Sequence, residues 1–269
     1  MKTVVFRFVF CLLRLLSLLP LRVLHSLGVA FSRTYFFCSP KAKKRLQQQL
    51  AQTPYAHLID AIIDEQGKMI FESPFVHFRT CLPLTIIGLE HIKNQRPTLL
   101  LTPHFGGFEA ILRPLTQTRT TTALYKPPNY ELANVLHKDG RLRHGVLLAP
   151  TDQTGIKTIL KALHCNQLVA MLPDQVPDNG AGTWETFFNR PAYTTTLPTR
   201  LYEKTHCDIV LACAIRQPKG KGFTVEIYRW SDLMKDTPIN SAQVNVAMEK
   251  LIARVPEQYL WSYNRYKKP

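Results

Sequence analysis

The chain has none of the short motifs that mark the commoner cofactor and nucleophile chemistries. No G-x-x-x-x-G-K-[ST] supports a nucleotide phosphate loop, no G-x-G-x-x-G a dinucleotide fold and no H-E-x-x-H a zincin. The strained G-x-S-x-G elbow of a serine hydrolase is also missing. The six cysteines, Cys11, Cys38, Cys81, Cys165, Cys207 and Cys213, include no C-x-x-C pair. They read as reduced packing residues rather than a disulfide framework or a metal knuckle. Acidic residues are scarce: 19 Asp plus Glu face 34 Lys plus Arg, for a formal charge of +15. Polyanions are therefore the natural partners. The cations are dispersed and accompanied by no RRM, KH or helix-turn-helix signature, which turns the expectation away from nucleic acid and toward anionic lipid or an acidic carrier protein.

What is there begins at the N-terminus. In "MKTVVFRFVFCLLRLLSLLPLRVLHSLGVAF" an apolar run is interrupted by Arg7, Arg14 and Arg22, which at about 100° per residue share one arc of a helix. A secretory signal would place its charge first and keep the apolar region uninterrupted. Each arginine also costs about 2.5–3.5 kcal/mol near a bilayer centre. The pattern points to an in-plane or shallowly inserted amphipathic helix over residues 1–35, with its cationic heads on phospholipid. The alternatives are a tilted span and a helix packed on the protein's own core.

Residues 36–269 read as a single domain. After a basic helix or connector, "CSPKAKKRLQQQLAQT", short apolar runs alternate with helix-period segments from residue 97 onward. That alternation predicts an α/β domain, a mixed and mostly parallel sheet flanked by helices. "GFTVEIYRW" reads as an edge strand antiparallel to "DIVLACAIRQ", and the last helix opens at Asn240 or Ser241 and stops near Pro256. No repeat, low-complexity tract or internal linker stands out.

The stretch "LLLTPHFGGFEAIL" places His104 at the end of an apolar strand, where open α/β sheets bind ligands. Gly106 and Gly107 permit a sharp turn, and their N–H groups at a helix onset suit a developing oxyanion. Glu109, five residues on, can fold back to fix the imidazole tautomer while His104 takes a proton. The alternative is a core histidine beside a solvated acid.

At these residues the chain resembles the lysophospholipid acyltransferase-like superfamily, whose hallmark is His, four residues, then an acid. Within it, the chain is similar to the lipid A secondary acyltransferases, the lauroyl and myristoyl transferases. "YKPPNYELANVLHKDGRLRHG", "LPDQVPDNGAGTWETFFNRPAYTTTLPTRLYEKT" and "VPEQYLWSYNRYKKP" match further blocks of that family in order, so the likeness covers essentially the whole chain. The resemblance implies a glycerolipid acyltransferase-like fold and a bacterial inner-membrane enzyme of the cytoplasmic face. It implies acyl transfer from an acyl carrier protein thioester to a hydroxyl of a membrane glycolipid, with His104 and Glu109 as the dyad. The carrier is a co-substrate, and no cofactor or metal is implied. Arg141 and Arg143 suit a phosphate, as does Lys126, which is otherwise a solvated strand end. Asp174 and Gln175, ending another strand, either bond sugar hydroxyls or hold the site in shape. "FFNRPAYTTT" supplies either acyl-pocket aromatics or core. Another lipid acceptor, such as an ornithine lipid, a mannosylated phosphoinositide or an aryl polyene, and a non-catalytic glycolipid-binding protein remain the competing readings.

Overall fold

A computed structural model describes residues 2–126 and 138–269, with the side chains of residues 2–8 left undescribed. The Arg7 side chain and residues 127–137, the greater part of the "YKPPNYELANVLHKDGRLRHG" block, lie outside the described residues. Pro20 divides the apolar leader into α1 (Lys2–Leu16) and α2 (Leu21–Cys38). Helix α2 thus runs past residue 35 and packs along α4 (Ile59–Phe78), after the basic α3 (Pro40–Leu50). The α2–α4 approach is set by two glycines. A Cβ on Gly67 would stand 2.0 Å from the Gly28 carbonyl oxygen, and one on Gly28 would stand 2.3 Å from that of Gly67. Backbone cannot yield there as a flexible side chain can. Gly67→Ala is expected to separate the helices and cost about 1–3 kcal/mol of stability, read as a lowered melting temperature.

The inner face of α2 buries Leu21, Leu24, His25, Gly28, Ser32 and Phe36. Its outer face repeats an apolar residue every fourth position, Val23, Leu27, Phe31 and Tyr35, all exposed. Leu15 near the end of α1 and Leu18 just beyond it are exposed as well, and Phe37 is 86% exposed. No helix among the described residues is long and apolar enough to cross a membrane.

The domain is a mixed α/β structure around a seven-stranded sheet. The strands are β1 (Leu84–Ile87), β2 (Thr98–Leu101), β3 (Thr121–Tyr125), β4 (Val146–Pro150), β5 (Leu168–Met171), β8 (Asp208–Arg216) and β9 (Phe223–Arg229), in spatial order β1-β9-β8-β2-β5-β3-β4. Every pairing is parallel except β8 with β9. The antiparallel turn at "QPKGKG" is as the sequence suggests, but β9 is not an edge. β1 pairs outside it, and Glu226 on its polar face is buried, held by Arg254 and Tyr228.

Alternate residues of the central strands feed two cores. Leu99, Leu101, Val169, Met171, Ile209 and Leu211 face one side, with α6 (Gln153–His164), α8 (Trp230–Met234) and α9 (Ser241–Ile252). Leu100, Leu168, Ala170, Val210 and Ala212 face the other, with α5 (Leu112–Thr118). This two-sided burial is why the strands read as continuous apolar runs. Asn240 caps α9 through Gln243 N–H, and Asp152 caps α6 through Gly155 N–H.

After residue 175 the chain forms an antiparallel hairpin, β6 (Gly182–Phe187) and β7 (Arg190–Thr195), followed by α7 (Leu197–Thr205). Its two-residue turn, Phe188-Asn189, has both φ angles positive, at 44° and 60°. That is the twist a hairpin turn needs, reached here without glycine. Phe187 and Phe188 are buried, so this pair is core. Of the six cysteines, Cys207 and Cys213 are buried, whereas Cys11, Cys38, Cys81 and Cys165 are exposed; packing explains only the first two.

Candidate active site

Parallel pairing of β2 with β5 sets Leu101 opposite Met171. His104 and Asp174 each lie three residues beyond that pair, so two neighbouring strands deliver them to one point. The Asp174 carboxylate, 1% exposed, accepts from His104 twice: from the backbone N–H at 2.9 Å and at the ring Nδ1 at 2.8 Å. Burial alone would raise the Asp174 carboxyl, but the His104 charge and these hydrogen bonds bring it below the usual carboxylate range. An ionised carboxylate at Nδ1 keeps the proton on that nitrogen and leaves Nε2 with its lone pair. Gln175 places its amide nitrogen 3.2 Å from Nε2. The Phe108 ring meets the imidazole edge-on at 5.1 Å.

Glu109 sits in a 3₁₀ turn, Phe108–Ile111, and faces another partner. Arg141 grips its carboxylate with both arms of the guanidinium, Nε to Oε2 at 3.0 Å and Nη2 to Oε1 at 2.5 Å. Burial would lower the Arg141 guanidinium, but Glu109 holds it above its ordinary value. The guanidinium also lies over the Tyr125 ring, 5.3 Å from its centroid. The tautomer-fixing contact anticipated for Glu109 is therefore made by Asp174, and Glu109 orients Arg141. Of the two roles open to Asp174, its burial beneath the imidazole fits holding the site in shape rather than bonding a sugar hydroxyl.

Gly106 and Gly107 do turn the chain, but their N–H groups are spoken for. Gly106 N–H donates to the Gln258 carbonyl and Gly107 N–H to the Ala214 carbonyl, each at 2.9 Å. Gly106 has φ +56°, and a Cβ there would stand 2.0 Å from the Ala214 oxygen; at Gly107 it would strike the Phe223 ring. The glycines serve close backbone packing, and neither N–H is left to hold an oxyanion.

A cavity of about 530 Å³ opens beside His104 and Gln175. It collects His104, Glu109, Lys126, Arg141 and Gln175, together with Arg200, which the sequence reading passed over. Its apolar lining includes Leu124, Ile156, Met171 and Leu197. Lys126 pairs with Asp178 at 2.9 Å on the rim. Arg143 does not join this group: it is exposed and lies over the Phe78 ring at 5.3 Å. A more open groove of about 630 Å³, bordered by Arg22, Lys68 and Lys219, contains none of the expected site residues. Among the described residues no three His, Cys, Asp or Glu side chains converge as a metal-holding group.

Comparison with known proteins gives a consistent picture. The family model described as bacterial lipid A biosynthesis acyltransferase matches residues 2–268. A lipid A biosynthesis lauroyltransferase of Escherichia coli K12 is 29% identical over 189 residues, 68% of this chain and 61% of that protein. A palmitoleoyltransferase of the same organism is 26% identical, over 67% of this chain and 60% of its own length. A lipid A biosynthesis acyltransferase of Haemophilus influenzae is 29% identical, over 65% and 56% respectively. The match thus spans roughly three-fifths of the length of these relatives.

Proposed function

This chain belongs to the bacterial lipid A biosynthesis acyltransferase family, and from that premise we propose that it moves a fatty acyl group from an acyl carrier protein thioester to a hydroxyl of a lipid A precursor. The observation that carries the reading is the His104–Asp174 pair: Nδ1 is clamped to a buried carboxylate, and the residue borders a cavity lined by both apolar and cationic side chains. His104 Nε2 takes the proton of the acceptor hydroxyl, displacing Gln175, as the oxygen attacks the thioester carbonyl. The tetrahedral adduct collapses, the C–S bond breaks, and the imidazolium returns the proton to the departing sulfur. A base so placed contributes about 10²–10⁴-fold. No cofactor is required, because the thioester brings its own leaving group. Leu124, Ile156, Met171 and Leu197 offer a wall for the acyl chain, and Arg141, Lys126 and Arg200 offer cations for phosphate.

The enzyme works from the cytoplasmic face of the inner membrane. Exposed Val23, Leu27, Phe31 and Tyr35 on α2 would enter the lipid while Lys41, Lys43 and Lys44 meet anionic head groups. Leu27→Asp combined with Phe31→Asp is expected to weaken binding to phosphatidylglycerol vesicles by about tenfold or more, since each apolar side chain withheld from lipid forfeits roughly 1 kcal/mol or more. Cosedimentation checks this, with the melting temperature recorded alongside because the Phe31 ring also meets Phe71 of α4 at 5.5 Å.

Mass spectrometry of lipid A tests the acceptor. Cells lacking the gene should lose one acyl-sized mass, restored by the native gene and not by His104→Ala. Unchanged lipid A, with the loss in another lipid, would move the reading to a different acceptor; no loss in any lipid would favour a binding protein.

A further inference from the structure

Acyl transfer needs a hydrogen-bond donor where the carbonyl oxygen turns negative. The glycine N–H groups beside His104 do not supply it, since they donate to the Gln258 and Ala214 carbonyls. Arg141 has its Nε and Nη2 committed to Glu109. Gln175 is placed differently. Its amide nitrogen lies 3.2 Å from His104 Nε2, and both side chains line the cavity together with Met171, Leu172 and Leu197. Nδ1 already faces the Asp174 carboxylate at 2.8 Å, so Nε2 can only accept, and the amide turns its NH₂ rather than its oxygen toward the ring. The chain is held on both sides of this residue. Asp174 accepts the His104 backbone N–H at 2.9 Å, and Val176 N–H donates to the Tyr263 hydroxyl at 3.0 Å. Among the described residues the Gln175 amide has no partner besides His104, so its side chain is the part left free to swing.

We propose that Gln175 is a catalytic residue whose amide N–H donates to the thioester carbonyl oxygen as that oxygen becomes an oxyanion. The inference rests on the reading of His104 as the acyl-transfer base. The acceptor hydroxyl takes the amide's place at Nε2, and the displaced amide meets the next group along, the carbonyl under attack. As the new O–C bond forms, the hydroxyl proton passes to Nε2 and the carbonyl π pair moves onto oxygen, where Gln175 donates to it. On collapse the C=O bond re-forms, the C–S bond breaks with its electron pair on sulfur, and Nε2–H protonates the sulfur. Gln175 returns to the imidazole unchanged. The bond it makes is stronger to the oxyanion than to the neutral carbonyl, so it raises kcat rather than ground-state binding. Its apolar neighbours Met171, Leu172 and Leu197 keep that bond in a medium of low dielectric.

Gln175→Met keeps the length of the side chain and deletes the donor. With the purified protein, an acyl carrier protein thioester and a lipid A precursor in vesicles, kcat is expected to fall about 10²–10³-fold while KM for each substrate holds. An S-alkyl phosphonothioate of the same acyl chain places a tetrahedral anion at the thioester carbon. Its affinity should fall by a similar factor, whereas a thioether analogue, which has no oxygen there, should bind native and variant alike. Should Gln175→Met fail to fold, Gln175→Asn, which draws the amide back by one methylene, is expected to lose about tenfold or more in both kcat and phosphonothioate affinity. A native-like kcat overturns the proposal. So does a fallen kcat with unchanged phosphonothioate affinity, or a raised KM for the acceptor with kcat intact, which would make Gln175 a sugar contact. Phosphonothioate binding needs no turnover. Weakened binding in the variants of a chain that transfers no acyl group would therefore keep the donor role and sink the acyl-transfer reading instead.

Discussion

Asp174→Asn is expected to lower kcat for acyl transfer by about 10³–10⁴-fold, the scale seen when the acid of a Ser-His-Asp triad becomes its amide. The geometry explains why so small a change is so costly. Asp174 presents one oxygen to the His104 backbone N–H and the other to the ring Nδ1. An asparagine has only one acceptor oxygen, and the backbone N–H, which cannot change its character, claims it. The amide NH₂ then faces Nδ1 and must donate to it. The imidazole responds by moving its proton to Nε2, where the proposed acyl transfer needs a lone pair. Glu109→Gln works by another route: it loosens the two-armed grip on Arg141 and should appear chiefly as a raised KM. Equal melting temperatures for the native chain and both variants would confirm that chemistry, not folding, is being read.

Arg216→Met is expected to cost about 3–5 kcal/mol of stability. In a chain of this size that lowers the melting temperature by roughly 10 °C or more. Arg216 is buried at the end of β8 and bonds Glu72 twice, at 2.6 and 2.7 Å, with a further ion pair to Glu65. His25 of α2 approaches the same Glu72 carboxylate at 2.9 Å. Removing the cation strands two carboxylates with too little positive charge. It also removes the donor to the Gly106 carbonyl, at 3.1 Å, so the turn that carries His104 loosens with the helices.

The pH dependence of this loss has a defined sign. Burial would raise the Glu72 carboxyl, but Arg216 and His25 lower it below its ordinary range in the folded chain. A group lowered on folding stabilises above its unfolded value, and that contribution disappears as pH falls through the folded one. Without Arg216, burial dominates and the carboxyl is raised. The gap between native and variant stability should therefore be widest near neutral pH and close toward acid, which calorimetry across pH will show.

Much of the architecture is legible in the chain because both faces of the sheet are buried. Apolar runs such as "TLLL" and "LVAM" announce strands, and "TPH" and "PDQ" announce what stands at their ends. The partner of His104 is harder to see. Glu109 is near in sequence, but its turn directs it at Arg141, whereas Asp174, 70 residues away, arrives through strand register. Knowing that β2 and β5 are neighbours would have been enough, since both side chains lie three residues past paired positions. The fate of the Gly106 and Gly107 N–H groups was likewise hidden, because their acceptors, on Gln258 and Ala214, are brought close only by the completed fold. The hairpin over Phe188 and Asn189 escaped notice because its left-handed turn lacks the glycine that signals one. Arg200 carried no motif at all and became visible only as part of the cavity lining.

The central claim is that Asp174, and not Glu109, leaves His104 Nε2 free to take a proton. ¹⁵N spectra of the histidine-labelled protein, recorded where the imidazole is neutral, test it directly. A protonated Nδ1 and a bare Nε2 are expected for His104, with the two exchanged in Asp174→Asn and unchanged in Glu109→Gln. A proton on Nε2 in the native chain, or a tautomer that follows Glu109, would contradict it.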